Sequence, residues 1–453
     1  MGAKVGAPFR LSTPRRSGGC AVVRAPNRGA HAIHGAPFCS PRALRSCSTR
    51  FATLPSQSHR KVRRMRSFVL VLAVGLLVSC RDAVQPTAPA EAAATAAASA
   101  PYTFVDLGSL GGYTEAAAIN DAGQVVGWGW TASGTQHAFF WDAGVMRDLG
   151  TLGGDFSVAN GINARGQVVG RSATASGEIH AFRWTDGTME DIGPNSGIAP
   201  VLINAQGQVA WTAPVPGGAH PMLWDAGTVV DLGTIGGAYS NARALNDRGE
   251  VVGASPTTEG FTHAFLWSNG VMRDLGTLGG RFSEARAISA SGQVTGLAFY
   301  TDREAHAFLW DGQMTDLGAL QDFAASWGVA LNERGDVIGQ SSRESDNPEQ
   351  SRPFLWRHGL LSALPGPDPY APYLTANAVN NRGQVAGGYE RRLPFVRVAV
   401  VWDDGTLWEL GGSNSYAMAI NQQGDVVGVA NGHAALWRRT DSQAAASLVA
   451  ASR

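Results

Sequence analysis

The chain has 453 residues, of which 44% are apolar and 16% charged, with no net charge at neutral pH; length alone would fit two or three domains. The charge balance comes from the first 66 residues, which hold 14 of the 36 Lys and Arg and none of the 36 Asp and Glu, so the body from Cys80 onward carries 22 against 36, a net −14. So acidic a body excludes nucleic acid and anionic lipid as partner classes.

Residues 1–64 are rich in Arg, Ser and Pro, show no hydrophobic period and offer no core. They read as an upstream extension ahead of the true start at Met65. Residues 65–79 form a leader: Arg63, Arg64 and Arg66 are the positive end, Phe68 to Val78 the apolar run, too short to span a bilayer comfortably. The ending Leu77-Val78-Ser79-Cys80 resembles the lipobox of bacterial lipoproteins, which implies cleavage before Cys80 and a lipid on its sulfur. The alternatives are a plain signal peptide, with secretion, or a membrane anchor. Because Arg81 rather than Asp follows, the sorting rules of such proteins imply an outer-membrane or cell-surface location. Cys20, Cys39 and Cys47 all precede the cleavage point. The mature body then has neither disulfide nor cysteine metal site. Residues 80–101 continue as an Ala/Pro-rich tether.

From Tyr102 a repeat runs through residues 102–438, leaving 439–453 as a disordered tail. Each copy has four short apolar runs separated by Gly, Asn and Asp, which is strand-and-turn chemistry without helical period. The Asn of an Asn-x-x-Gly turn recurs at Asn120, Asn163, Asn204, Asn246, Asn332, Asn380 and Asn421, with Ser289 in the remaining copy. The Trp ending the third run recurs at Trp141, Trp184, Trp224, Trp267, Trp310, Trp356, Trp402 and Trp437. Eight copies of four strands, about 42 residues apart, have the size of propeller blades. The first copy is preceded by a lone Asp-Leu-Gly strand, Thr103 to Gly108, and the last lacks one. The expected fold is therefore an all-β propeller of eight four-stranded blades closed by the N-terminal strand; seven blades or a β-solenoid is the alternative. In this reading the Asp-Leu-Gly strand is outermost, and small residues such as Ala116, Ser157, Ala242 and Ser283 sit where strands crowd the axis.

At His137-Ala138-Phe139, His180-Ala181-Phe182, His263-Ala264-Phe265 and His306-Ala307-Phe308, with Asp-Leu-Gly-x-Leu-Gly-Gly before and Gly-Gln-Val-Val-Gly between, the body resembles the HAF-repeat family of bacterial extracellular proteins. The resemblance implies an exported repeat protein and brings no catalytic residue with it. Copies three, six and seven depart from the pattern, at His220-Pro221-Met222, Arg352-Pro353-Phe354 and Val398-Ala399-Val400.

Candidate chemistry is sparse. His137, His180, His220, His263, His306 and His433 share one repeat position on different blades, too far apart for one ion, so bonds to Asp148, Asp231, Asp274 or Asp316 are expected rather than a metal site. No nucleophile elbow, zinc motif or phosphate loop appears, so no catalytic residue, metal or cofactor is assigned. The expected function is a monomeric, surface-anchored binding or adhesion scaffold for a glycan, a protein or a matrix polymer, touching membrane only through its lipid. A carbohydrate hydrolase or lyase using Asp and Glu of copies six and seven is the alternative. Links from second to third strand vary most, so the partner is expected on their face over copies six and seven, with Arg343, Tyr389, Arg391 and Arg392 as contacts.

Overall fold

Valine-rich runs punctuated by glycine turns give 32 strands among the described residues, which in this computed structural model are 101–343, 351–367, 373–392 and 395–440. The upstream extension, the leader, Cys80, the tether up to 100 and the tail beyond Thr440 lie outside them; Arg439, expected in the tail, instead ends the last strand and bonds Asp403 at 2.8 Å, and all described residues fall within the unit 92–453.

The strands form eight four-stranded antiparallel blades in chain order, the first two joined into one sheet by a parallel bridge between Gln136 and Phe156. Seven span residues 111–148, 153–194, 202–231, 241–274, 283–318, 325–363 and 375–409; the eighth combines 416–439 with Tyr102–Asp106. Tyr102 to Asp106 pair with Arg439 to Ala435, so the first strand of the body completes the last blade. The protein is a β-propeller. Each blade's first strand touches the first strands of both neighbours, blade 8 against blade 1 included, which makes the first strand innermost and the Asp-Leu-Gly strand outermost.

The core lies between blades. Eight buried apolar clusters each draw on two neighbouring blades, and the one joining blades 8 and 1 contains Leu436 and Val427 with Phe139, Trp141 and Leu107. The His-Ala-Phe motif follows from strand alternation: in blade 1, Phe139 and Trp141 face blade 8, while Ala138 and Phe140 face blade 2. Phe139, Phe182, Phe265, Phe308 and Phe354 are fully buried, each worth about 1.5–3 kcal/mol.

The small residues of the first strand, the innermost one, also tie blade to blade. Ser157 of blade 2 accepts from the Ala138 backbone N–H of blade 1 at 2.8 Å and donates to the Gly150 carbonyl at 2.6 Å. Ser283 and Ser326 repeat this bond to Ala264 and Ala307, and Thr114 makes it to Ala434 of blade 8. Ala116, Ala159, Ala242 and Ala285 are fully buried among the same interface side chains. Small size is needed because blade packs on blade there.

The second-strand glycine has a steric cause. A β-bulge at Ala116/Ala118 brings the Glu115 carbonyl to 1.9 Å from where a Cβ on Gly127 would stand. Any side chain there would expel the first strand. The turn glycine is different: Gly123 has φ +79° and closes the turn with a 3.0 Å bond to the Asn120 carbonyl.

Candidate binding surface

The six repeated histidines are structural ties. His137, His180, His220, His263 and His306 bond through Nδ1 to Asp148, Asp191, Asp231, Asp274 and Asp316 at 2.8–3.0 Å, and His433 bonds to Asp106 at 3.0 Å, pinning the N-terminal strand. Each Asp also accepts from the N–H two residues on, as Asp148 does from Gly150 at 2.8 Å. Among the described residues no group of three or more His, Cys, Asp or Glu could hold a metal ion. The third-strand Trp side chains are core: Trp437, Trp402 and Trp141 are buried.

Blade 7 lacks the His–Asp tie and shows what replaces it. Tyr389 lies opposite Val398, which occupies the His place, and Glu409 occupies the Asp place. The Tyr389 hydroxyl donates to Glu409, and Arg391 bonds the same carboxylate at 2.7 Å while standing 5.6 Å above the Tyr389 ring. Burial, then Glu409, pushes the Tyr389 phenol up to about 12. Tyr389 is only 2% exposed. It is a wall of the blade, and it lines the cavity described below. The second strand extends through Val385–Arg392, so a stretch read as loop is strand, and alternation turns Tyr389 inward.

The other expected contacts are placed as follows. Arg391 is exposed, on the same strand. Arg392 pairs through its backbone with Phe395. Arg343 is exposed, its guanidinium 5.7 Å above the Phe323 ring. Exposed aromatics missed by the sequence reading join them: Tyr113, Trp130, Tyr239 and Phe395, at 40%, 43%, 59% and 64% exposure. Tyr113 stands near the start of a first strand, Tyr239 two residues before one, Trp130 near the end of a second, Phe395 at the start of a third. Every one of those ends belongs to the face carrying the second-to-third links.

Between blades 7, 8 and 1 that face opens into a cavity of about 400 Å³, lined among others by Tyr113, Glu115, Tyr373, Tyr416, Glu390 and Arg397. Tyr113 rests on Trp128, ring centroids 5.6 Å apart, and its hydroxyl donates to Glu115 at 3.0 Å. Burial and the Glu115 carboxylate raise the Tyr113 phenol well above its ordinary value, so it stays a donor. Arg397 Nε bonds Glu390 at 3.1 Å. The Tyr416 hydroxyl lies 3.0 Å from Thr375 Oγ1 and 3.3 Å from Asn377 Oδ1, and Asn377 in turn donates to the Ala417 carbonyl at 2.7 Å. A sequence signal for this site existed: Tyr113 and Tyr373 both stand seven residues before the turn Asn, Glu115 and Tyr416 five before it.

No protein-family model matches the chain, and no curated protein matches it. Among solved structures it is similar to the β-propeller domain of the Trilobed protease from Pyrococcus furiosus, at 12% identity and TM-score 0.47 over 66% of this chain and 98% of that one. It is also similar to TolB from Acinetobacter baumannii, at 12% identity and TM-score 0.36 over 66% of this chain and 63% of that one. At such identities function does not transfer.

Proposed function

We propose that this chain is an exported, surface-anchored member of the HAF-repeat proteins that works as a binding or adhesion scaffold for a glycan, a protein or a matrix polymer. The partner docks on the face of the second-to-third links. One observation carries the reading: the exposed aromatics Tyr113, Trp130, Tyr239 and Phe395 share that face with Arg343 and Arg391, and Tyr, Trp and Arg are the residues that dominate binding energy. A rigid frame with variable links suits recognition. The test is a glycan and matrix-polymer array probed with the whole chain; no retained partner at any concentration short of aggregation would refute it.

The second reading, a carbohydrate hydrolase or lyase, is favoured by Glu115 and Glu390 lining one cavity. Against it, each carboxylate is already engaged, by Tyr113 and by Arg397. Release of new reducing ends from any polysaccharide on the array, abolished by Glu115→Gln, would favour the enzyme.

A further inference from the structure

We propose that the cavity between blades 7, 8 and 1 recognises an organic ammonium group, seated against the rings of Tyr113, Tyr373 and Tyr416 with Glu115 as its counter-charge. This deepens the scaffold reading and rests on it for the face used.

The charge count points to a cation. Two carboxylates and one guanidinium line the cavity. Arg397 is committed to Glu390 at 3.1 Å, whereas among the described residues Glu115 accepts only from the neutral Tyr113 hydroxyl. The lining therefore carries one more carboxylate than guanidinium, in a partly enclosed space. A neutral ligand without a hydrogen-bond donor would strip water from that charge and give nothing back; an anion would be repelled. An ammonium answers Glu115 directly.

The walls fit the same guest. Tyrosine rings present the negative face of their quadrupole to a cation within about 6 Å, and three neighbouring blades supply three of them, Tyr113 and Tyr416 from inner strands and Tyr373 from the turn just before one. They are held in place: Tyr113 by Trp128 and Glu115, Tyr416 by Thr375 and Asn377. At about 400 Å³ the cavity admits an ammonium with the first part of its carrier. The acidic body draws cations toward it from a distance.

An ammonium reaches such a site from an amino sugar, a lysine side chain or a choline headgroup, and calorimetric titration of the whole chain separates them. Choline should bind, and its neutral carbon isostere dimethylbutanol should bind at least about tenfold more weakly. Glucosamine exceeding N-acetylglucosamine, or N-acetyl-lysine amide exceeding its side-chain-acetylated form, by a similar ratio would support the site and name its source. Glu115→Gln and Tyr416→Ala should each weaken choline about tenfold, while Tyr416→Phe, which keeps the ring, should retain it. Equal binding of choline and its isostere, no binding of any ammonium probe, or indifference to Glu115→Gln would overturn the proposal. If array partners are still retained when the ammonium probes fail, the cavity assignment falls and the scaffold reading survives; if ammonium probes bind but no array partner is retained, the reverse holds.

Discussion

Asn421 donates its side-chain amide to the backbone carbonyl of Asn120, 301 residues earlier in the chain, at 3.2 Å. The same bond runs blade to blade from Asn120 to Asn163, Asn163 to Asn204, Asn204 to Asn246, Asn246 to Ser289, Asn332 to Asn380 and Asn380 to Asn421, all at 3.0–3.1 Å. Each Asn also accepts from the N–H four residues on, as Asn380 does from Gln384 at 3.1 Å. The residue that makes the turn is thus also the latch to the next blade. At Ser289 the donor is missing, and what remains is a second bond that other junctions make beside the latch: Ala290 N donates to the Glu333 carboxylate at 2.9 Å, as Ala205 N does to Asp247 at 2.9 Å.

Removing a latch should be costly. Asn380→Ala removes the inter-blade donor to the Asn421 carbonyl, which keeps only Gly424 N, and takes their partners from Gln384 Oε1 and the backbone N–H groups of Arg382 and Gln384; it is expected to lower unfolding free energy by about 2–4 kcal/mol. Ser289→Ala should cost about 1 kcal/mol. Urea denaturation of the two variants compares them directly; equal losses would show that the inter-blade bond contributes nothing beyond the turn.

Deleting 103–108 takes away the fourth strand of blade 8, Asp106 with its tie to His433, and Leu107 from the cluster between blades 8 and 1. The edge of His433–Arg439 would lie open, and light scattering should report association at concentrations where the full chain is dispersed. The His433–Asp106 pair by itself is solvent-exposed, so a double-mutant cycle on it should give no more than about 1 kcal/mol. Unchanged melting after the deletion would contradict the pairing.

The fold was legible because the repeat writes its contacts again and again: the turn Asn in seven copies, the His ten or eleven residues before its Asp in five, with a lone strand ahead of the first copy to complete the last. Local alternation then settles which side of a strand meets which neighbour. The site was less legible. Tyr389, Arg391 and Arg392 looked like loop, since nothing in Tyr-Glu-Arg-Arg says that a strand continues to Arg392; only pairing with Phe395 to Val398 decides that and buries Tyr389. Glu115, Tyr373 and Tyr416 come from three blades, and only curvature about the axis brings them together.

Acid should weaken the protein partly through Asp336. Burial alone would raise this carboxyl, but hydrogen bonds from Arg357 and Asn332 and the charges of Arg357 and Arg334 outweigh it and hold it below the ordinary Asp value. A lowered folded pKa gives stability that is full above the unfolded value, about 4, and lost as pH falls below it. Asp336→Asn should therefore be less stable at neutral pH by about 2 kcal/mol and show a flatter decline under acid. A decline as steep as in the parent, followed by thermal melting from pH about 6 to 3, would assign the acid dependence elsewhere.

For anchorage, Cys80→Ser should abolish incorporation of a clickable fatty acid and release the body from the membrane fraction. Equal labelling of parent and variant would show that the ending Leu77-Val78-Ser79-Cys80 is not a lipidation signal.

The central claim is that the face of the second-to-third links meets the partner, and paired surface variants test it on the array partner that the whole chain retains. One set replaces Arg343, Arg391, Arg392 and Tyr239 with Ala; the other replaces Arg165 and Arg382, which sit at the Asn turns of the opposite face and bond the Gln206 and Gln423 carbonyls at 3.2 and 3.3 Å. The first set is expected to lose affinity, each true hot spot costing about 2 kcal/mol, with melting unchanged, while the second binds like the parent. Full binding by the first set and loss by the second would contradict it.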